Sequence, residues 1–167
     1  MIKINVAEIK KRLVGEKTLA YELSPAELEI TPEELVIDGT VNLEGTMSNA
    51  GDVLLLQAVM TAKVQRTCGR CLKDFTGVAR AEVVEKFYPA SAEHIENDAF
   101  VYDSDVIDIT EPLREGLLLA EPMQALCKLD CRGLCPVCGA DLNDGDCGCD
   151  RSTVDPRLAA LKQFIKN

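Results

Sequence analysis

The sequence predicts an α+β protein in which an antiparallel β-sheet or partly closed barrel is followed by a helix, a zinc-binding segment and a C-terminal helix. Residues 35–64 alternate between apolar and polar side chains, as strands with one buried face do. A helical pattern begins at residue 110, and six of the eight cysteines follow it at short spacings. We therefore expect a β-rich body over residues 1–109 and a helical, cysteine-rich part over residues 110–167, together forming one compact unit.

The first elements are short. Residues 2–6 alternate and predict a strand, residues 7–13 favour one or two helical turns, and residues 18–23 indicate an extended segment. The absence of tryptophan and the low aromatic content mean that the core is built from aliphatic side chains and methionine.

A long β-hairpin is predicted next. Apolar and glycine residues occupy the odd positions from Leu35 to Met47, residues 48–52 have turn chemistry, and a second alternating run spans residues 54–64. Residues 78–88 predict a third strand that returns from the turn at Cys68. The first Cys-x-x-Cys pair is therefore expected at the tip of a second hairpin.

An acidic segment follows over residues 89–108. We interpret it as a solvated loop with a short strand near residues 100–102. A hard-cation site is the alternative, although the spacing of carboxylates around a central glycine that is typical of calcium loops is missing.

Two helices are predicted after this segment. The first spans residues 110–125, with Thr110 as N-cap, Pro112 near its start and Pro122 ending or kinking it. The second closes the chain: Asp155 caps it, Pro156 takes its first position, and its apolar stripe consists of Leu158, Leu161 and Ile165.

The eight cysteines predict two metal sites. Two residues between cysteines allow both sulfurs of a tight turn to face one ion, and Gly69 and Gly139 give these turns backbone freedom. We group the cysteines as Cys68, Cys71, Cys127 and Cys131 in one site and Cys135, Cys138, Cys147 and Cys149 in the other. The alternative grouping combines Cys127 and Cys131 with the last four cysteines.

Zinc is the favoured metal, with two ions for the chain. Four thiolates fill a tetrahedral shell and leave no position for water, which is typical of structural rather than catalytic zinc. An iron–sulfur cluster also takes four thiolates, and a redox dithiol is a further alternative. A thioredoxin-type dithiol would follow a strand and open a helix, whereas the first pair here lies between two strands.

The formal charge of −10 argues against nucleic-acid binding through overall charge. One basic cluster stands out against this background, formed by Lys63, Arg66, Arg70, Lys73 and Arg80 around the first cysteine pair. These side chains either offset thiolate charge on a solvated strand face or contact RNA phosphates or an acidic partner.

Several classes of protein are disfavoured. No secretory signal or long apolar run is present, so we expect a cytoplasmic protein that uses no membrane. His94 is the only histidine, and neither a catalytic triad nor a phosphate-binding loop is recognisable. We therefore predict a protein that is not an enzyme and has no small-molecule substrate.

Three segments together resemble the YceD family of large-subunit ribosomal RNA accumulation proteins. They are Cys68-Gly69-Arg70-Cys71-Leu72, the run from Asp108 through Pro112 to Met123, and the ending Asp155-Pro156-Arg157-Leu158-Ala159-Ala160-Leu161. The resemblance carries over Cys68 and Cys71 and the segment around Cys127 and Cys131. Many members lack the later cysteines, so these mark a zinc-rich branch. The resemblance implies a role in making the large ribosomal subunit and no catalytic residues.

Three functions are consistent with these features. The first is a non-enzymatic zinc-binding factor that supports ribosome assembly by contacting precursor ribosomal RNA or a ribosomal protein. The second is a zinc-stapled adaptor that binds only protein, and the third is a redox- or metal-responsive regulator.

Overall fold

A computed structural model describes residues 1–12, 14–97, 99–151 and 157 of the chain. In chain order, its elements are β1 (Lys3–Asn5), α1 (Ala7–Lys10), β2 (Glu16–Leu23), β3 (Val36–Asn49), β4 (Leu54–Thr67), β5 (Asp74–Pro89), β6 (Phe100–Tyr102), β7 (Val106–Asp108) and α2 (Thr110–Leu119). The contacts divide the chain into two compact units. The first consists of Met1–Arg66 and Asp74–Met123, and the second of Thr67–Lys73 and the described residues from Gln124 onward.

The first unit contains an open five-stranded sheet in the order β2-β3-β4-β5-β6. The predicted long hairpin is confirmed, with β3 and β4 paired antiparallel from Asn49↔Leu54 to Val36↔Gln65. Alternation places Leu43, Met47 and Met60 on the buried face, as one-sided strands require. The sheet is an open one, so the barrel alternative is not the architecture seen.

A bulge interrupts β3 without reversing its faces. Ile37 pairs with Val64 and Val41 with Ala62, so four steps along β3 match two along β4. Both numbers are even, and the apolar side chains therefore stay on one face through the irregularity. Gly39 lies inside it with a φ of +90°, a conformation that glycine adopts without a steric penalty.

The last strand of this sheet departs from the antiparallel pattern. β6 pairs parallel to the end of β5, with Phe87 opposite Phe100 and their ring centroids 5.3 Å apart. Aromatic stacking stabilises this register. The ten residues between β5 and β6 are enough for the chain to return and run parallel to β5. The short strand predicted at residues 100–102 is confirmed.

A two-stranded sheet of β1 and β7 leads into α2. β7 lies in the segment interpreted as a loop, and its pairing of Ile107 with Ile4 buries both side chains. The helix begins at Thr110, but the predicted N-cap is wrong: Ile109 occupies that position, without a side-chain cap. The amide and hydroxyl of Thr110 donate instead to Asp108 Oδ1, at 2.9 and 2.6 Å.

The helix also ends earlier than predicted, at Leu119 rather than residue 125. Pro122 has no amide hydrogen for the next helical bond and disfavours helical geometry in Glu121 before it, so the chain leaves the helix just ahead of the proline. Leu113 and Leu117 face the core, where Gly116 allows α2 to approach Val83 of β5 closely.

The predicted closing helix, over residues 155–165, lies outside the described residues apart from Arg157. None of the helices that the structure describes is long and apolar enough to cross a membrane.

Candidate metal centres

The second unit brings all eight cysteines into two groups of four. Cys68 and Cys71 lie in the turn between β4 and β5 and converge with Cys127 and Cys131 from the segment after α2. The other group consists of Cys135, Cys138, Cys147 and Cys149. In each group the Sγ atoms lie within 4.8 Å of one another. The structure thus assembles the two sets that the sequence predicts, and not the alternative grouping.

The two Cys-x-x-Cys turns have the same backbone hydrogen bonds. In each turn, the carbonyl of the first cysteine accepts a hydrogen bond from the amide of the residue four positions later. The amide of the first cysteine donates to the carbonyl of the residue five positions later. These distances are 2.9 and 2.9 Å at Cys68, and 2.9 and 2.8 Å at Cys135. The residue after the second cysteine is left-handed in both, with φ of 56° at Leu72 and 74° at Gly139. The φ angle of Gly69 is not positive, so the backbone freedom predicted for Gly69 is not used there. The left-handed conformation of this turn lies at Leu72 instead.

The sulfur separations match a single tetrahedral ion. In the first group Cys68 Sγ lies 3.8 Å from Cys131 Sγ, and Cys71 Sγ lies 3.7 Å from Cys127 Sγ. A tetrahedron with metal–sulfur bonds of about 2.3 Å has edges of about 3.8 Å. A disulfide would require a sulfur separation of about 2.0 Å, and all eight cysteines are free.

Hydrogen bonds divide each group into thiols of opposite acidity. Backbone amides, that of Cys127 first, lower the pKa of Cys68 to about 6. Desolvation and the neighbouring sulfurs raise the pKa of Cys127 to about 12. In the second group the amides of residues 138 and 137 lower the pKa of Cys135 to about 6, and the hydrogen bonds that the Cys149 thiol donates to Cys138 and Cys147 raise the pKa of Cys149 to about 12. Four thiolates at this separation need a bound cation to coexist.

Side chains around the first group hold its segments together. Arg70 Nη1 donates to the Cys131 carbonyl at 2.9 Å, and Asn143 Nδ2 lies 3.5 Å from Cys131 Sγ. Lys73 Nζ lies 2.7 Å from Asp141 Oδ2 and lowers the pKa of Asp141 to about 2. Sequence reasoning missed Asn143 and Asp141, although polar residues between the cysteine pairs are typical positions for groups that orient metal ligands.

The five basic residues singled out from the sequence lie in different settings. Arg66 forms an ion pair with Glu121, Arg80 Nη2 lies 3.4 Å from Glu82, and Arg70 and Lys73 make the contacts just described. Lys63 is exposed on β4. Lys63, Arg66 and Arg80 belong to the first unit, and Arg70 and Lys73 to the second. Their contact with RNA stays a prediction.

The described residues of the acidic segment, which exclude Asp98, bring no comparable set of ligands together. Among them, Glu96 accepts from Lys86 Nζ at 2.7 Å. The converging groups of three or more histidine, cysteine or acidic side chains found across the described residues are the two cysteine groups. Outside β6, β7 and the last residue of β5, the described part of the segment is loop, as predicted.

Comparisons with known proteins identify relatives. The family model described as large ribosomal RNA subunit accumulation protein YceD matches residues 56–165. The uncharacterised protein Rv2926c of Mycobacterium tuberculosis is 31% identical over 149 residues, which are 85% of this chain and 70% of the relative. YlbN of Bacillus subtilis, also uncharacterised, is 34% identical over 104 residues, 59% of each chain. No solved structure matches.

Proposed function

The chain belongs to the YceD family, and from this premise we propose that it is a non-enzymatic, zinc-binding cytoplasmic factor that supports the accumulation of large-subunit ribosomal RNA. The observation that carries the metal part of the proposal is the convergence of eight thiols into two groups of four. The family supplies the ribosomal part. Precursor ribosomal RNA or a ribosomal protein is the proposed partner.

Zinc is the metal that these donors suit best. Its tetrahedral preference and its affinity for thiolate match four sulfurs with 3.7 and 3.8 Å separations. An iron–sulfur cluster inserts several irons and sulfides between the same thiolates and therefore needs a wider cage. In each group the four cysteines would be the ligands, and because they fill the shell, the bound ion would supply structure rather than chemistry.

The contribution of the first ion is to fix two distant segments. Cys68 and Cys131 are 63 residues apart in sequence, and Cys71 and Cys127 are 56 apart. Closing a long loop in the folded state carries an entropic cost that metal binding offsets, so the ion contributes directly to folding. The second ion orders the segment from residue 135 to residue 149, which has little secondary structure of its own.

A protein-binding adaptor is a second candidate, and the pairing of the basic cluster favours it. Four of its five members interact with groups of the chain itself: Arg66 with Glu121, Lys73 with Asp141, Arg80 with Glu82, and Arg70 with the Cys131 carbonyl. Each of these contacts leaves less cationic charge for phosphate. An acidic chain of this kind fits a basic protein partner at least as well as RNA.

Affinity purification from cells, with and without ribonuclease, tests the proposal. If the chain acts on ribosomal RNA, precursor large-subunit RNA co-purifies and its loss on digestion releases the accompanying proteins. A single protein partner that persists after digestion supports the adaptor. Normal levels of large-subunit RNA in cells that lack the chain would contradict the ribosomal role. Zinc content measured on the same purified protein is expected to approach two ions per chain.

A further inference from the structure

The outer edge of β5 carries a groove that the proposed function does not use. β4 pairs with one edge of β5, and β6 covers the other edge only from Phe87 to Pro89. Over residues 80–85 the structure shows no other strand on that outer edge within its described parts. Six consecutive residues of β5 and one face of α2 line a groove of about 600 Å³ here, to which β4 contributes nothing.

The groove combines a strand edge with exposed apolar side chains. Val84 on β5 is 61% exposed and Leu119 on α2 is 85% exposed, and both line it. An unpaired strand edge presents backbone amides and carbonyls to solvent, and such edges pair readily with an added strand. Binding between a strand edge and a helix is one of the recurring ways in which proteins recognise extended peptides.

Its charge is acidic. Glu82, Glu85 and Glu115 line the groove, and Arg80 pairs with the first of them. Glu85 is half-buried; desolvation and then the nearby charge of Glu115 raise its pKa. No lysine or arginine in the described ranges lies within ion-pair distance of Glu85 or Glu115. A cationic side chain placed between these two carboxylates would relieve their repulsion.

From these observations we propose that this groove binds an extended, basic segment of a protein partner, which adds a strand to the outer edge of β5. Its lysine or arginine side chains meet Glu85 and Glu115 and lay their aliphatic stems along Leu119, and an apolar side chain on the other face of the added strand rests against Val84. The acidic lining disfavours RNA, whose phosphates it repels. The inference deepens the proposed function, on which it rests, by naming the class of partner.

Binding of a synthetic peptide in which lysine and valine alternate tests this surface. Fluorescence anisotropy at low ionic strength is expected to show binding that weakens about tenfold in Glu85→Gln/Glu115→Gln, because charge complementarity is lost. Glu16→Gln/Glu22→Gln, on the opposite edge strand β2, removes the same number of charges; it is the matched control and is expected to bind as the native chain does. Leu119→Ser is a second variant, at an exposed position where the substitution preserves the fold, as circular dichroism can verify. It is expected to weaken peptide binding because it removes the apolar contact with the peptide.

The strand geometry is tested by methylating alternate backbone nitrogens of the peptide. Loss of those donors is expected to weaken binding about tenfold if the peptide pairs with β5. The proposal is overturned if the native chain does not bind the lysine–valine peptide, if Glu85→Gln/Glu115→Gln binds as tightly as Glu16→Gln/Glu22→Gln, or if an oligouridine competes for the groove. Large-subunit RNA levels in cells lacking the chain are a separate measurement, so the failure of this groove and that of the ribosomal role are distinguishable.

Discussion

Arg66 and Glu121 form a two-point ion pair, with Nε 2.7 Å and Nη2 2.6 Å from the two carboxylate oxygens. The side chains keep only 12% and 23% of their surface exposed. The hydrogen bond to Glu121 raises the pKa of Arg66, so the guanidinium keeps its charge. Arg66, one of the basic residues singled out from the sequence, thus joins the end of β4 to the segment that follows α2.

Removing the acidic partner is expected to destabilise the protein. Glu121→Ala leaves the guanidinium mostly buried and unpaired, which we expect to lower the free energy of unfolding by about 1–3 kcal/mol. Glu82→Ala breaks the exposed pair with Arg80 and is expected to cost less than about 0.5 kcal/mol. Urea denaturation of both variants measures the difference. Equal effects would mean that the Arg66 pair is no stronger than a surface ion pair.

RNA contact by the basic cluster is best tested at Lys63. Charge reversal at Arg66 would disturb the fold, whereas Lys63 is exposed and Lys63→Glu leaves the Arg66 pair in place. If the Lys63 side chain contacts a phosphate, Lys63→Glu binds precursor RNA more weakly than the native chain. The slope of log affinity against log salt concentration then decreases by the amount expected for about one phosphate contact. Lys11→Glu introduces the same change of charge on another exposed lysine. Filter binding at several salt concentrations compares the RNA affinities of the two variants. Equal losses of affinity would indicate that overall charge, and not a phosphate contact by Lys63, determines binding.

The sequence predicts most of the first unit because alternation and turn chemistry are local signals. The hairpin of β3 and β4 and the cysteine turn at residue 68 follow from them directly. The pairing of Phe87 with Phe100 could not be predicted, since parallel pairing depends on how a loop returns rather than on any local pattern. Thr110 was misassigned because a hydroxyl at a helix start has several acceptors within reach, and Asp108 competes with the helix amides.

The candidate metal centres were predictable for a different reason. Ligand spacing limits which cysteines can share an ion, and the distances between the pairs leave few groupings. The polar groups around them were not predictable, because Asn143 and Asp141 reach Cys131 and Lys73 only after the segments fold together. Likewise, the pairing of Arg66 depends on where the chain turns after α2.

The two metal centres are expected to differ in their effect on stability. Cys131→Ser removes a buried ligand from the first group, whose paired cysteines are separated by 56 and 63 positions in the sequence. Cys138→Ser removes an exposed ligand from the second group, which lies within one local loop. Each variant should lose about one zinc ion, but only Cys131→Ser should lower the melting temperature markedly. Zinc analysis with thermal unfolding of both variants measures this. If both variants keep the native zinc content, the cysteine groups are not the metal ligands.

The Thr110 hydroxyl provides a further test, because it links the N-terminal segment to the start of α2. It accepts from the Ile2 amide at 2.6 Å and donates to Asp108 Oδ1 at 2.6 Å, and Thr110 is buried. Thr110→Val keeps the shape but leaves the Ile2 amide without an acceptor, which we expect to cost about 1–3 kcal/mol in urea denaturation. Thr110→Ser retains the hydroxyl and should cost less. A larger loss in the serine variant would show that the methyl group, not the hydrogen bonds, stabilises this site.

The same network predicts a dependence of stability on acid. Desolvation acts to raise the pKa of Asp108, but the hydrogen bonds donated by Thr110 outweigh it, and the pKa lies below its usual value. Since the folded-state pKa is the lower one, the contribution of Asp108 is complete above the unfolded value of about 3.9 and is lost as the pH falls through the folded value. Asp108→Asn should therefore be less stable than the native chain near neutrality, with the gap narrowing as the pH drops below about 4. Urea denaturation of both proteins between neutral and acidic pH measures that gap, and a gap that stays constant would show that the carboxylate charge contributes nothing to this network.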